Sequence, residues 1–127
     1  MNIKTDTKEK FSVLRIQEDT ITENMSAEFH AMLDEQCATP PHNLILDLSR
    51  VGHIADPIIT LLTDVYGQCL EKGTSMVLFG LQEEVMLSLR EKEVDDLLNI
   101  TPTESEAWDI VQMEEIEREL LKDTDLK

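Results

Sequence analysis

Asp47, His53 and Asp56 fall in one short stretch, and their types are those of a general base with carboxylate partners. A histidine beside an aspartate can take a proton, yet no Ser or Cys is placed by the sequence as the nucleophile such a base would serve. No catalytic residue is therefore assigned. His30 and His42 belong to other segments, and Cys37 and Cys69 lack zinc-like spacing. The two cysteines read as small core hydrophobes, and the sequence leaves a disulfide between them open. Glu83-Glu84 and the acidic residues between 91 and 96 lack the Gly and ligand spacing of a calcium loop. Gly52, Gly67, Gly73 and Gly80 are isolated, so no phosphate-cradling loop is present. No metal site and no cofactor is expected, and the stretch reads as a recognition surface.

The elements that hold this stretch are legible on either side of it. Asn43-Leu-Ile-Leu-Asp-Leu-Ser49 is a nearly continuous apolar run, the pattern of a central strand buried on both faces. The chain turns at Gly52 and restarts as a helix at Asp56-Pro57, with Asp56 expected as N-cap and Pro57 as first helical residue. That helix runs to about Lys72, carries Ile58, Leu61, Leu62, Val65, Tyr66 and Cys69 on one broad face, and stops at Gly73. Upstream, residues 3–7 and 11–17 read as a hairpin, and a helix runs from Thr22 or Asn24 to about Cys37, where Thr39-Pro40-Pro41 ends it. Downstream follow a buried strand at 75–79, a short helix at 82–90, a short strand at 97–100 and a last helix. Thr103 and Glu106 have the capping-box spacing at its start. Strand and helix alternate after residue 43, so the class is α/β. A mixed, mostly parallel sheet of four to five strands, an antiparallel N-terminal hairpin and about four helices are expected.

Composition narrows the partners. At 127 residues with 41% hydrophobic content the chain is one domain, read here as residues 1–120 with an acidic, frayed tail at 121–127. The 27 acidic against 11 basic residues give a formal charge of −16, which argues against nucleic acid and against an anionic membrane surface. No apolar run approaches the length of a membrane span and no hydrophobic leader opens the chain, so a cytoplasmic location is expected. Met113 to Leu121 continues an apolar stripe that a second copy of the chain could cover, making a homodimer.

Asn43-Leu-Ile-Leu-Asp-Leu-Ser49, Leu61-Leu-Thr-Asp-Val-Tyr66, Lys72-Gly-Thr-Ser-Met-Val-Leu-Phe-Gly80 and Asn99-Ile-Thr-Pro-Thr-Glu-Ser-Glu-Ala107, in this order and spacing, resemble the STAS domain of bacterial anti-sigma factor antagonists. The resemblance covers nearly all of residues 3–117. It implies a non-catalytic module that docks onto an anti-sigma factor which is also a serine kinase. It further implies that the kinase ends the interaction by phosphorylating a Ser in an Asp-Ser-Ser-Gly-like turn at the start of the second main helix. Aligned on His53-Ile54 and Leu61-Leu62, Ala55 replaces the acidic residue of that motif, Asp56 its first Ser, Pro57 the phosphorylated Ser, and Ile58 its Gly. No hydroxyl remains at the switch, and Thr60 and Thr63 are the candidate substitutes. His53 stands where such domains carry a large apolar residue, which implies a partly buried packing role.

Three readings of the altered motif stay open: plain helix initiation by Asp56-Pro57, a fixed negative charge resembling a permanently phosphorylated state, or a more apolar patch built from Pro57, Ile58 and Ile59. All three expect no toggling at the position of Pro57. The expected contact surface is His53, Ala55, Asp56, Pro57, Ile58, Ile59 and Thr60, with Thr63 and Gln68 as weaker additions. The alternative is a structural accessory of a membrane transporter, or a signalling scaffold.

Overall fold

In the computed structural model, which describes residues 1–125, side-chain alternation along the central strands decides the architecture. β1 (Ile3–Thr7) and β2 (Ser12–Ile16) form the antiparallel hairpin, with Ile3 opposite Ile16 and Thr7 opposite Ser12. There follow β3 (Thr20–Ile21), a single 3-10 turn at Glu23–Met25, α1 (Ser26–Ala38), β4 (Leu44–Asp47) and β5 (His53–Ile54). The chain closes with α2 (Asp56–Lys72), β6 (Met76–Phe79), α3 (Glu83–Glu91), β7 (Ile100–Thr101) and α4 (Glu104–Asp125). The main sheet has the order β1-β2-β4-β6-β7, and every pairing after the hairpin is parallel.

On the two central strands, residues of opposite parity enter different cores. Leu44 and Leu46 of β4 and Met76 and Leu78 of β6 face the larger core, with Phe29 and Leu33 of α1, Leu62 and Val65 of α2, and Val85 and Leu89 of α3. Ile45, Val77 and Phe79 point the other way, onto Ala107 and Val111 of α4. The apolar run at Leu44–Asp47 is thus continuous because both faces of the sheet are covered. On the α4 side the Trp108 ring meets Phe11 edge-on at 5.0 Å. Beyond that contact Met113, Ile116, Leu120 and Leu121 are all more than half exposed. The backbone of α4 is helical as far as Asp125, so the tail set apart at 121–127 lies partly outside the described residues.

Three details differ from the sequence reading. The helix expected from Thr22 or Asn24 begins at Ser26, after the 3-10 turn at Glu23–Met25. The last strand is at Ile100–Thr101, beside Leu78 and Phe79, and not at 97–100. A second, two-stranded sheet pairs Thr20 with His53 and Ile21 with Ile54, where only a turn was expected.

One charged cluster ties the sheet to α4. The Arg15 guanidinium donates to Glu104 through both terminal nitrogens (2.8 and 3.1 Å), to Asp6 at 2.9 Å and to Asp47 at 3.2 Å. The two-pronged bond to Arg15 holds the Glu104 carboxyl below its ordinary value of 4.5. Because that group is harder to protonate when folded, it stabilises the fold above pH 4.5, and the contribution is lost as pH falls below that value. The expected result is a urea midpoint that drops on acidification below this point, with a shallower drop in Glu104→Gln. Parallel curves for the two proteins would rule out this role for the pair.

Candidate protein-docking site

The turn between β4 and α2 is built by local bonds and then clamped from both sides. Asp47 Oδ1 accepts from the Ser49 amide (3.0 Å) and hydroxyl (2.6 Å), an Asx turn that ends the strand. Leu48, Val51 and Ile54 point inward and are buried, anchoring the turn in the core. On one side the Asp19 carbonyl accepts from the amides of Gly52 (2.7 Å) and His53 (3.3 Å), and the Ile21 carbonyl accepts from Ala55 (2.9 Å). On the other side Gln82 Nε2 donates to the Ser49 carbonyl at 3.0 Å. Gly80 makes the close approach possible: its φ is +73°, and a Cβ there would lie 3.1 Å from Ser49 Cβ.

The bond from Ala55 to Ile21 holds Ala55 extended (ψ 153°), so Ala55, and not Asp56, is the N-cap of α2. Its carbonyl accepts from Ile58 and Ile59, while no side chain caps the helix. Asp56 is already helical, and its carboxylate instead pairs with Lys92 Nζ, just beyond α3, at 3.0 Å. Both partners are about half exposed or more, and such a pair is worth ~1 kcal/mol or less. Pro57 then occupies the second helical position, where its lack of an N–H costs nothing because first-turn amides have no helical acceptor.

The structure divides the sequence-predicted contact residues into two groups. His53, Asp56, Pro57 and Thr60 are exposed and Ala55 is partly so. Ile58 and Ile59 are not surface residues: they are 0% and 2% exposed and belong to the main core. The reason is helical phase, since Ile58 continues the buried row Leu62, Val65 and Cys69, with Ile59 next to it. An apolar docking patch at Pro57, Ile58 and Ile59 is therefore excluded. His53 also differs from the packing role inferred for it. Its side chain is 54% exposed, with Nδ1 3.6 Å from Glu84 Oε1 on α3.

The exposed members do not stand alone. Pro57, Thr60, Leu61 and Asp64 of α2 face Ser26, Ala27 and His30 of α1 across a shallow groove of about 340 Å³. The α1 wall was missed in the sequence because nothing in residues 26–30 announces which helix they will face. Gln68 is exposed two turns beyond Thr60, on the same side as Asp64. The two candidate substitute hydroxyls both turn back onto their own helix: Thr60 Oγ1 lies 3.5 Å from the Asp56 carbonyl, and Thr63 Oγ1 donates to the Ile59 carbonyl at 2.9 Å. Thr60 is exposed and Thr63 is half-buried.

Acid–base equipment does not converge here. Asp47 is engaged by Ser49 and Arg15, His53 lies beside Glu84, and Asp56 is held by Lys92. Among the described residues no group of three or more His, Cys, Asp and Glu side chains is arranged to hold a metal ion. Among the same residues no helix is long and apolar enough to cross a membrane.

The fold is shared with solved structures. An anti-sigma factor antagonist from Mycobacterium paratuberculosis superposes with a TM-score of 0.77 at 18% identity, covering 87% of this chain and 93% of that one. The Bacillus cell fate determinant SpoIIAA in its phosphorylated form gives 0.65 at 12% identity, covering 87% and 99%. The murine anion transporter Slc26a9 contains the same fold, with a TM-score of 0.71 at 15% identity, over 85% of this chain and 18% of that much longer one. No protein of curated function matches the chain in sequence. Residues 2–107, from the N-terminal hairpin to the first turn of α4, match the STAS domain family, and the chain belongs to it.

Proposed function

We propose that this chain is a non-catalytic docking module of a bacterial partner-switching pathway that regulates transcription from the cytoplasm. Its partner is a kinase-type anti-sigma factor or a related regulator. The contact surface is His53, Ala55, Asp56, Pro57 and Thr60 together with the α1 wall of the groove. Thr63 and Gln68 lie at its margin. The single observation that carries this reading is the exposed start of α2, held by the clamped turn, at the position where the family resemblance implies a phosphorylated Ser. A rigid surface loses little conformational freedom on binding, which favours affinity. Pro57 offers no hydroxyl there, so docking is not switched off by phosphorylation at this position.

A fixed carboxylate at Asp56 sits in the first turn, where negative charge is favoured, but Lys92 already pairs with it. That neutralising contact counts against mimicry of a phosphoserine. The fold shared with the transporter Slc26a9 supports a second reading, an accessory subunit of a membrane transporter. One experiment separates the two. Affinity capture from native extract with the intact chain and with Thr60→Arg should return a kinase-type ATPase that the variant fails to retain. Recovery of transporter components with the intact chain would favour the second reading. Equal recovery of one partner by both baits would sink the proposed surface.

A further inference from the structure

Cys37 is the penultimate residue of α1 and Cys69 lies in the last turn of α2, and their Sγ atoms are 3.8 Å apart. Both are free thiols. We propose that these two residues form an oxidisable dithiol, a modification site that a small hydroperoxide converts into an intramolecular disulfide joining the C-terminal ends of α1 and α2. The two thiols lie at the opposite ends of the same helices from the groove of the docking surface, although Gln68 at its margin adjoins Cys69.

The geometry suits the reaction. A disulfide needs the sulfurs to close to about 2.05 Å, a movement that small side-chain rotations on two neighbouring helices can supply. The backbone at both positions is already fixed. The Cys37 carbonyl is 2.8 Å from His42 Nδ1, and the Cys69 carbonyl accepts from the Thr74 amide at 2.9 Å and from its hydroxyl at 3.3 Å. Access is through the partly buried Cys37, since Cys69 is only 2% exposed.

The contact between the thiols also favours ionisation of one of them. Either thiol can donate across it; the contact lowers the Cys69 thiol from its ordinary value against the effect of burial, and the Thr74 hydroxyl and Lys72 act in the same direction. Cys37 is raised, chiefly by the same contact and then by burial, with Asp34 adding to the effect. One of the two thiols, as the thiolate, is the attacking group and the other resolves its product. The thiolate attacks one peroxide oxygen, an S–O bond forms as the O–O bond breaks, and hydroxide or alkoxide leaves with a proton as water or alcohol. The second thiol then attacks the sulfur of the sulfenic acid, the S–S bond forms, and the hydroxyl leaves as water. Two thiols and one hydroperoxide give one disulfide, one alcohol or water, and one further water.

The test treats the reduced full-length chain with hydrogen peroxide, counts maleimide-reactive thiols after unfolding in denaturant, and follows intact mass and thermal unfolding. Expected are loss of both thiols, a mass lower by two hydrogens, a peptide linking Cys37 to Cys69, and full reversal by dithiothreitol. Closing this loop should raise Tm by about 10 °C. Cys37→Ala, at the less buried position, should keep the Tm of the reduced chain near that of the parent and yield no linked peptide. Two maleimide-reactive thiols after peroxide, or their consumption only as sulfinic acids or between molecules, would overturn the proposal.

Discussion

Ile59→Asp is expected to abolish cooperative folding, whereas the neighbouring Thr60→Asp should leave thermal unfolding within a few degrees of the parent. Ile59 is 2% exposed and packs in the main core, while Thr60 points to solvent one residue later. Replacing Ile59 removes a buried aliphatic side chain, which alone costs roughly 2–5 kcal/mol. It also places a carboxylate among apolar neighbours, where burial without a partner costs several kcal/mol more. A domain of this kind has only about 5–15 kcal/mol of total stability. The sum of the two penalties therefore consumes most or all of it. Circular dichroism on heating checks the pair. A normal sigmoidal transition in Ile59→Asp would mean that the α2 start is rotated relative to the structure described here.

The second large effect falls on binding. Thr60→Arg should weaken partner binding at least roughly thirty-fold, about 2 kcal/mol, as expected when a residue at the centre of an interface is disrupted. The substitution puts a long, charged side chain across the groove between Pro57 and His30. Stability should change by no more than about 0.5 kcal/mol, because the site is exposed and Arg is a good helix former. Titration calorimetry against the captured partner, beside a urea curve for the free variant, reads both quantities. Undiminished affinity would remove the start of α2 from the interface. A matching loss of stability would make the binding result uninformative about contact, so the two measurements belong together.

The contrast between Ile59 and Thr60 also marks what the sequence could reveal. Leu44–Asp47 and Met76–Phe79 were legible because a short apolar run flanked by turn residues has few other structural meanings. The buried face of α2 was legible too, through Ile58, Leu62, Val65 and Cys69 at helical spacing. Aligning the turn on a family motif then placed Ile58 and Ile59 on the outside, and periodicity is the physical constraint that prevails. β3 and β5 escaped because strands of two residues carry no period. That small sheet matters, since it fixes Ala55 in the extended conformation and moves the helix start past the expected cap at Asp56. The α1 wall of the groove and the pairing of Asp56 with Lys92 depend on tertiary approach, which no local pattern encodes.

Central to this account is a rigid surface at the beginning of α2 whose occupancy is not under covalent control. Its most direct test incubates the isolated complex of the chain and its captured kinase-type partner with magnesium and ATP, then reads phosphopeptides and complex lifetime together. An unmodified chain that stays bound throughout is the predicted result. Phosphate on Thr60 or Thr63, appearing as the complex comes apart, would contradict the account.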